Sequence, residues 1–210
     1  DTEGKLWILT ESGLSCRPAG AESFKNYTWS EVPVENEGLH FWPDTTRKCF
    51  WIGTFAGLVR FNWEEESYER FQLFSENDST EPLPIGAPIV DNQGRVWTIV
   101  GSFPTSYVYL FTPETGQFEV VATEQSGIRE ELSGANHLAV DRNGGVWSAG
   151  YNRGLQRVQM RKRNVLRLRV APDKAPPGER FDDQGITAMA EDRQGTIWLA
   201  TQQQGVWKWD

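Results

Sequence analysis

The chain of 210 residues has little of what builds metal centres or disulfide networks: it contains two cysteines and two histidines. Two cysteines do not make a disulfide framework, so we expect Cys16 and Cys49 to be small buried side chains, although a single bridge between them stays open. His40 and His137 have no converging cysteines or carboxylates around them that would form a metal site. We therefore predict no cofactor, no metal-binding residue and no catalytic residue.

Long apolar runs and an excess of basic charge are also missing. No stretch approaches the roughly 20 consecutive apolar residues of a membrane-spanning helix, and none resembles the apolar segment of a signal peptide. The formal net charge is −8, whereas a nucleic-acid-binding protein needs a basic face to displace counterions from phosphates. We expect no nucleic acid as a partner and no membrane contact by this segment itself.

What the chain does contain is a repeated turn phrase, Asp-x-x-Gly-x-φ-Trp, in which φ is apolar. Four copies end at Trp7, Trp97, Trp147 and Trp198, and a fifth copy, one residue longer and without the glycine, ends at Trp51. Successive tryptophans lie 44, 46, 50 and 51 residues apart. This spacing is close to the roughly 40–50 residues of a four-stranded propeller blade.

The turn phrase and its flanks predict strands. The aspartate can bind backbone amides of the turn, and the glycine accepts a left-handed conformation. Short apolar or alternating runs before and after each turn read as four strands per repeat, A to D. The chain then contains eighteen strands in the order B-C-D, three complete A-B-C-D sets, and A-B-C. The predicted fold class is all-β: a β-propeller of four-stranded antiparallel blades, about 4.5 of them by the usual blade length.

The predicted organisation is one propeller segment over residues 1–210. Its blades cover roughly 1–38, 39–85, 86–134, 135–184 and 185–210, and the first and the last are partial. Seven blades of this length would need roughly 310–360 residues, so we expect a piece of a larger, seven-bladed propeller, with a small ring or a self-completing oligomer as the alternative. Because open blade edges readily pair, its partners would be the remaining blades or a second copy.

At these residues the chain resembles the two-component regulator propeller repeat. That consensus joins an Asp-x-x-Gly turn to a strand pair reading Trp-Ile-Gly-Thr-x-x-Gly-Leu-x-Arg-Tyr/Phe, and the best copy here is Trp51-Ile-Gly-Thr-Phe-Ala-Gly-Leu-Val-Arg-Phe61. The copy after Trp97 loses the Gly-Leu pair, Arg47 replaces the turn glycine, and Ser148-Ala-Gly replaces Ile-Gly-Thr. The resemblance implies a non-enzymatic sensor segment of a two-component-type membrane receptor, located in the periplasm or outside the cell. Several sensors of this family respond to oligosaccharides.

The repeated positions are expected to build the blades. One tryptophan per strand B is expected to pack between blades rather than to stack on sugars. One aspartate per turn caps that turn, because a calcium site needs several oxygens that converge on one point. A basic run from Arg153 to Arg169 falls mostly in strands C and D, where we expect it to cover a solvent-facing or edge surface.

Ligand binding is expected at the loops that vary, which join strands B to C and D to A and share one end of the blades. Aromatic rings stack on the apolar faces of sugars, while amide and guanidinium groups bind hydroxyls or carboxylates. The alternative interpretation is that these are ordinary solvated loops. The candidate ligand-binding residues are Phe55, Phe103, Tyr151, Asn152, Arg153, Gln202, Gln203, Gln204, Arg129 and Arg180.

Two other functions stay open. A propeller enzyme of the lyase or lactonase type would place its site at the central channel, although the sequence shows no metal-binding or acid/base cluster for it. A protein-interaction or dimerisation scaffold would need no small ligand at all.

Overall fold

A computed structural model describes residues 4–10, 13–28, 38–75, 80–101, 106–121, 135–150, 154–159, 164–168, 186–202 and 205–209. All regular secondary structure in these ranges is β, and none of them forms a helix that could cross a membrane. The eighteen strands are β1 (Leu6–Thr10), β2 (Gly13–Arg17), β3 (Lys25–Thr28), β4 (Gly38–Asp44), β5 (Cys49–Thr54), β6 (Gly57–Asn62), β7 (Ser67–Phe71), β8 (Ile85–Val90), β9 (Val96–Val100), β10 (Tyr107–Thr112), β11 (Gln117–Val120), β12 (Ala135–Val140), β13 (Val146–Gly150), β14 (Gly154–Gln159), β15 (Asn164–Leu168), β16 (Ile186–Glu191), β17 (Ile197–Thr201) and β18 (Val206–Trp209).

The strands form five antiparallel sheets in which chain neighbours pair. Their orders are β1-β2-β3, β4-β5-β6-β7, β8-β9-β10-β11, β12-β13-β14-β15 and β16-β17-β18. This is the predicted series of B-C-D, three complete sets and A-B-C. The predicted all-β class, with four-stranded antiparallel blades, is therefore confirmed.

The first of two compact units, Asp1–Pro88, has an aromatic core between its first two sheets. Leu14 of the first sheet packs with residues of β5 and β6, including Phe50 and Phe61. The Trp7 ring lies 5.0 Å from the Phe50 ring and 5.9 Å from the Phe61 ring. The tryptophan of the first sheet thus faces the second sheet, as expected.

The second unit, Ile89–Asp210, repeats this arrangement between its last two sheets. Trp147, Ala149 and Leu155 of β13 and β14 pack in one cluster. The same cluster contains Ile186, Ile197 and Leu199 of β16 and β17. Trp7 in the first unit and Trp147 in the second unit therefore each pack against the sheet that follows them in the chain.

Both cysteines are free and buried, as expected for small core residues. Cys16 lies on β2 and Cys49 begins β5. Burial raises the pKa of the Cys49 thiol to about 12. That thiol therefore stays protonated near neutral pH and is a poor nucleophile.

The Asp-x-x-Gly turn has the geometry that its residues predict. The Gly94 amide donates to the Asp91 carbonyl at 2.9 Å, and Gly94 has a φ of 75°. The Asp91 carboxylate accepts the amide of Gln93 at 2.9 Å. In the turn where Arg47 replaces the glycine, the extra residue Lys48 takes the positive φ, at 54°. The longer copy therefore keeps the left-handed position by moving it one residue along the chain.

A second turn, between strands B and C, explains the Thr-x-x-Gly part of the repeat. The Thr54 hydroxyl donates to the Gly57 carbonyl at 2.8 Å, and Thr10 makes the same bond to Gly13 at 2.9 Å. Gly57 has a φ of 123°, and a Cβ added there would lie 2.4 Å from the Phe71 carbonyl oxygen. Glycine is required at this position for both its backbone conformation and its contact with β7.

We expect Gly57→Ala to lower the free energy of unfolding by more than about 1 kcal/mol, because the methyl group meets backbone and the φ is strained. Urea denaturation followed by circular dichroism measures the change. Gly86→Ala is the matched control, because a Cβ at Gly86 has no neighbour within 4 Å and the φ there is not in the strained range. Equal stability of the two variants would contradict this account of the turn.

Candidate ligand-binding surface

Of the ten predicted ligand-binding residues, Phe55 and Gln202 lie within the described part of the chain. Phe55 is 42% exposed in the β5–β6 turn, and Gln202 is exposed directly after β17. They belong to different units of the chain. The other eight lie outside the described residues: Phe103, Tyr151, Asn152, Arg153, Gln203, Gln204, Arg129 and Arg180.

Around Phe55, the sheet β4–β7 presents a small surface that we call the blade-end surface, made of Phe55, Ala56, Gln72 and Phe74. Because β6 is antiparallel to both β5 and β7, the β5–β6 turn and the end of β7 lie at the same end of the sheet. The Gln72 amide nitrogen donates to the Ala56 carbonyl at 3.5 Å, which joins the two connections. Phe74 is 41% exposed two residues further on.

Phe74 is held in place by a short pairing within the connection from β7 to β8. The Leu83 amide donates to the Leu73 carbonyl at 2.7 Å, and Phe74 forms an isolated antiparallel bridge with Pro82. Phe74 was not among the predicted residues, because the apolar pairs Leu73-Phe74 and Pro82-Leu83 do not by themselves show that the two segments pair. Such a pairing inside a long connection does not follow from the repeat, because the repeat does not extend into that segment.

The blade-end surface contains two exposed phenylalanine rings and one amide side chain. An exposed phenylalanine ring offers a flat face for the C–H side of a sugar or another apolar ligand face. The Gln72 side chain keeps a carbonyl oxygen as an acceptor and one further N–H as a donor. In the described ranges no group of three or more His, Cys, Asp or Glu side chains could hold a metal ion. The residue types of the blade-end surface offer no acid or base.

The repeated tryptophans and aspartates are bonded to one another in every described copy of the turn phrase. The indole N–H of Trp97 donates to the Asp91 carboxylate at 2.8 Å, and Trp147 donates to Asp141 at 2.9 Å. Trp51 bonds Asp44 at 3.2 Å in the longer copy. The pairs cap the turns, and the rings of Trp51, Trp97 and Trp147 are buried and so not available for stacking on sugars.

Three of these carboxylates each bind an arginine, which comes from a different position in each sheet. In the longer copy, Arg47 Nη1 lies 2.9 Å from Asp44. Arg95 Nε lies 2.6 Å from Asp91 and belongs to the same turn. Arg157 Nη2 lies 2.6 Å from Asp141 and belongs to β14. The position equivalent to Arg95 is Gly145, where a Cβ would lie 2.7 Å from Arg157 Nε. The absence of a side chain at Gly145 therefore makes room for Arg157.

This placement corrects one expectation about the basic run. Arg157 belongs to that run but does not cover a solvent-facing surface. Its guanidinium lies over the Trp147 ring, 5.3 Å from the centroid, with one quarter of the side chain exposed. The alternation of charges along a strand could not show this, because the partner carboxylate is contributed by a turn 16 residues earlier.

We expect Gly145→Arg to cost more than about 1 kcal/mol of unfolding free energy, because the new side chain displaces Arg157 from Asp141. The double variant Gly145→Arg/Arg157→Leu should regain most of this loss. It copies the β8–β11 sheet, where Arg95 binds the carboxylate and Leu110 stands opposite Trp97. Urea unfolding of both single variants and the double variant forms a mutant cycle. Additive losses would contradict the proposed exchange of arginine positions.

The pKa values of Asp91 and Asp141 are both below the ordinary value for aspartate. Burial, the largest single effect, raises the pKa of each carboxyl. The hydrogen bonds from the indole, the backbone amides and the arginine together outweigh it and lower the pKa. These bonds favour the ionised form, so folding is linked to deprotonation of both groups.

The direction of these shifts predicts acid sensitivity. Because the folded pKa is depressed, the stabilisation is present above the unfolded pKa of about 4 and is lost as pH falls through the lower folded values. The variant Asp91→Asn should be less stable than the wild type at pH 7 and should lose less stability between about pH 4 and pH 2. Thermal unfolding across this pH range measures both effects. Parallel curves for the two proteins would refute the linkage.

Comparison with known proteins supports the interpretation of the repeat. A family model described as "Two component regulator propeller" matches residues 180–203, which include the turn phrase ending at Trp198. No curated protein matches the chain in sequence. The chain carries a two-component regulator propeller repeat. This confirms the resemblance drawn from the sequence.

Solved structures show the fold. The extracellular domain of BT4673 from B. thetaiotaomicron, assigned to a hybrid two component system, is 17% identical with a TM-score of 0.74, and the match covers 98% of this chain. The extracellular domain of BT3049 from the same organism, also assigned to such a system, is 17% identical with a TM-score of 0.61, over the whole of this chain and 32% of that one. The fold of the chain is a β-propeller. The chain spans 25% of the length of the BT4673 chain.

An enzyme shares this fold as well. Catalytically inactive H270A virginiamycin B lyase from Staphylococcus aureus, solved with quinupristin, is 10% identical with a TM-score of 0.69. That match covers the whole of this chain and 67% of the lyase. Because the same architecture serves a receptor and a lyase, the fold does not decide the function of this propeller.

Proposed function

We propose that this chain is part of the sensory propeller of a two-component-type membrane receptor, located in the periplasm or outside the cell. The repeat at residues 180–203 supports this proposal, since its family description names two-component regulators. The similar domains of BT4673 and BT3049 are extracellular parts of signalling systems, which agrees with the same role and location. In this proposal the segment binds a ligand and passes the signal to the rest of the receptor, and it catalyses no reaction.

The ligand that we propose is an oligosaccharide, bound at the blade-end surface. The observation that carries this proposal is that Phe55 and Phe74 are both exposed on the two connections that the Gln72–Ala56 hydrogen bond joins. Binding removes the exposed apolar rings from water, which is favourable, and stacks them on the apolar face of a pyranose, while the amide bonds its hydroxyls. A binding role also suits residues on connections, which a rigid sheet positions without burying them.

The acidic residues with depressed pKa values offer little to a lyase-type reaction. Asp91 and Asp141 are each held by an indole, an arginine and backbone amides, so their lone pairs are engaged within the blade. A general acid or base needs an accessible group with a pKa near the working pH. The carboxylates of the turn phrase therefore support a structural role in this propeller.

Binding should depend on the two phenylalanines and not on aromatic exposure in general. We expect Phe55→Ala and Phe74→Ala each to weaken binding of a matching oligosaccharide on the order of 10-fold, the loss of one ring contact. Phe24→Ala is the matched control: Phe24 is also 42% exposed but lies in the β2–β3 connection, at the opposite end of its sheet from the β1–β2 turn. Glycan-array screening followed by calorimetry measures the affinities.

Three outcomes would decide against the proposal. A glycan array and a thermal-shift screen that reveal no ligand would favour a scaffold, since a scaffold shows no stabilisation by a small molecule. Binding that is insensitive to Phe55 and Phe74 would remove the blade-end surface from the site. Turnover of a glycan or lactone by the propeller would favour an enzyme of the lyase or lactonase type.

A further inference from the structure

Arg70, on the outer strand β7, carries buried hydrogen-bond donors that the described part of the fold does not use. Its Nε and one of its terminal nitrogens, Nη2, are shielded from solvent, and neither has a hydrogen-bond partner among the described residues. A buried donor without an acceptor costs free energy, and a charged one costs more. Such a group in a native protein needs an explanation, and a bound ion or ligand is one of the few available.

Other arginines of the sheets are paired with carboxylates. Three of them bind the aspartates of the turns, and Arg60 of the neighbouring strand β6 binds Glu69. Glu69 precedes Arg70 in the chain, but successive residues of a strand point to opposite faces of the sheet. Glu69 stands opposite Arg60, whereas Arg70 stands opposite Val59. The carboxylate nearest in sequence is therefore already paired and lies on the other face of the sheet.

The burial of Arg70 follows from its place on the face of the β4–β7 sheet that packs against the first sheet. Val59, which stands opposite, belongs to the core cluster that contains Leu14 of β2. Tyr68, two residues earlier on the same face, donates to the Tyr27 carbonyl of β3 at 3.4 Å. Burial lowers the pKa of the Arg70 guanidinium, which nevertheless stays charged near neutral pH. The residue as a whole is half-buried, so its charge lies at the margin of the core.

Arg70 lies next to the blade-end surface. Gln72 follows it by two residues at the end of β7, which places their Cα atoms roughly 6–7 Å apart. The Gln72 side chain lies beside Gly57, as Arg70 lies beside Val59 two residues further along β6. Phe74 follows Gln72 at the same spacing. Because an arginine side chain is about as long as this separation, its guanidinium can meet a ligand that stacks on the blade-end surface.

The unpaired donors of Arg70 select the chemistry of that ligand. Nε and Nη2 form one edge of the guanidinium, and this edge carries two parallel N–H groups that match the two oxygens of a carboxylate. A sulfate ester also offers a pair of oxygens, whereas the hydroxyls of a neutral sugar carry no charge to balance the guanidinium. The net charge of −8 gives the chain no general attraction for anions. Binding of an acidic ligand would therefore depend on this local edge.

We propose that Arg70 binds the acidic group of a negatively charged oligosaccharide whose apolar ring faces stack on the blade-end surface. This inference rests on the proposed function, to which it adds the chemical class of the ligand and a residue that selects it. The group recognised is a pair of anionic oxygens, carried by a uronate carboxylate or by a sulfate ester. Rotation of the flexible arginine stem turns the shielded edge toward these oxygens, which supply the acceptors that the edge lacks among the described residues.

Two arginine variants of the whole protein that carries this segment test the proposal. Arg70→Gln and the control Arg60→Gln remove the same charge from neighbouring strands, on opposite faces of one sheet. The probe is the tightest binder from a glycan array of uronate-bearing, sulfated and neutral oligosaccharides, and calorimetry measures its affinity. We expect Arg70→Gln to weaken binding about 10- to 100-fold, the loss of a charge-assisted bidentate bond, and Arg60→Gln to weaken it less than about 3-fold.

Removing the acidic group from the probe separates the two sources of the anion. Methyl esterification of a uronate, or desulfation of a sulfated sugar, should weaken binding to the wild type by the same factor as Arg70→Gln does. The neutral probe should bind the wild type and Arg70→Gln equally, because the pair of oxygens and the guanidinium edge are lost together. Additive losses would remove Arg70 from the site.

The failure of this inference differs from the failure of the proposed function. Array binding confined to neutral oligosaccharides would overturn the acidic ligand and leave the proposed function standing. An array without any bound oligosaccharide would contradict the proposed function, and this inference with it. Equal losses with Arg70→Gln and Arg60→Gln would assign the effect to overall charge and would overturn the role of Arg70.

A measurement without any ligand separates binding from a structural role. Because the buried edge of Arg70 has no acceptor in the described ranges, Arg70→Met should leave the thermal unfolding midpoint unchanged or raise it. Arg157→Met should lower the midpoint, since it leaves the Asp141 carboxylate without its arginine. A fall with Arg70→Met as large as that with Arg157→Met would show that Arg70 stabilises the fold, and would overturn the proposal.

Discussion

The hydrogen bond from each strand B indole to the carboxylate that opens its turn is the interaction on which the blades depend. It appears at Trp51, Trp97, Trp147 and Trp198, at distances between 2.8 and 3.2 Å. One carboxylate oxygen caps the turn while the other binds the indole. The turn and the packing surface between sheets are therefore fixed together, and at Trp51, Trp97 and Trp147 neither can shift without breaking a buried charge-assisted bond.

The arginine that completes this arrangement shows how a repeat tolerates variation. Arg47, Arg95 and Arg157 bind equivalent carboxylates from three different positions. What these three sheets share is a positive charge beside a buried anion, because an unpaired buried carboxylate would be costly. The residue that supplies the charge differs between the sheets, and where Arg157 supplies it, Gly145 occupies the position equivalent to Arg95.

The candidate binding surface was only partly accessible from sequence. Phe55 could be predicted because it lies in a turn whose place follows from the repeat. Phe74 could not, because its position depends on the bond of Gln72 to Ala56 and on the bridge to Pro82, which join segments 16 and 8 residues apart. Connections outside the repeat carry no periodic signal, and their pairing is decided by the surrounding structure.

The sequence by itself determined the strand order, the number of strands in each sheet and the turn geometry. These depend on local effects: alternation along a strand, a carboxylate beside free amides, and a glycine where φ is positive. Only the tertiary structure decided that Arg157 serves a turn 16 residues away, that Trp7 and Trp147 face the following sheet, and that Trp198 is 39% exposed. Those facts concern contacts between sheets, and such contacts depend on which surfaces meet after the strands have formed.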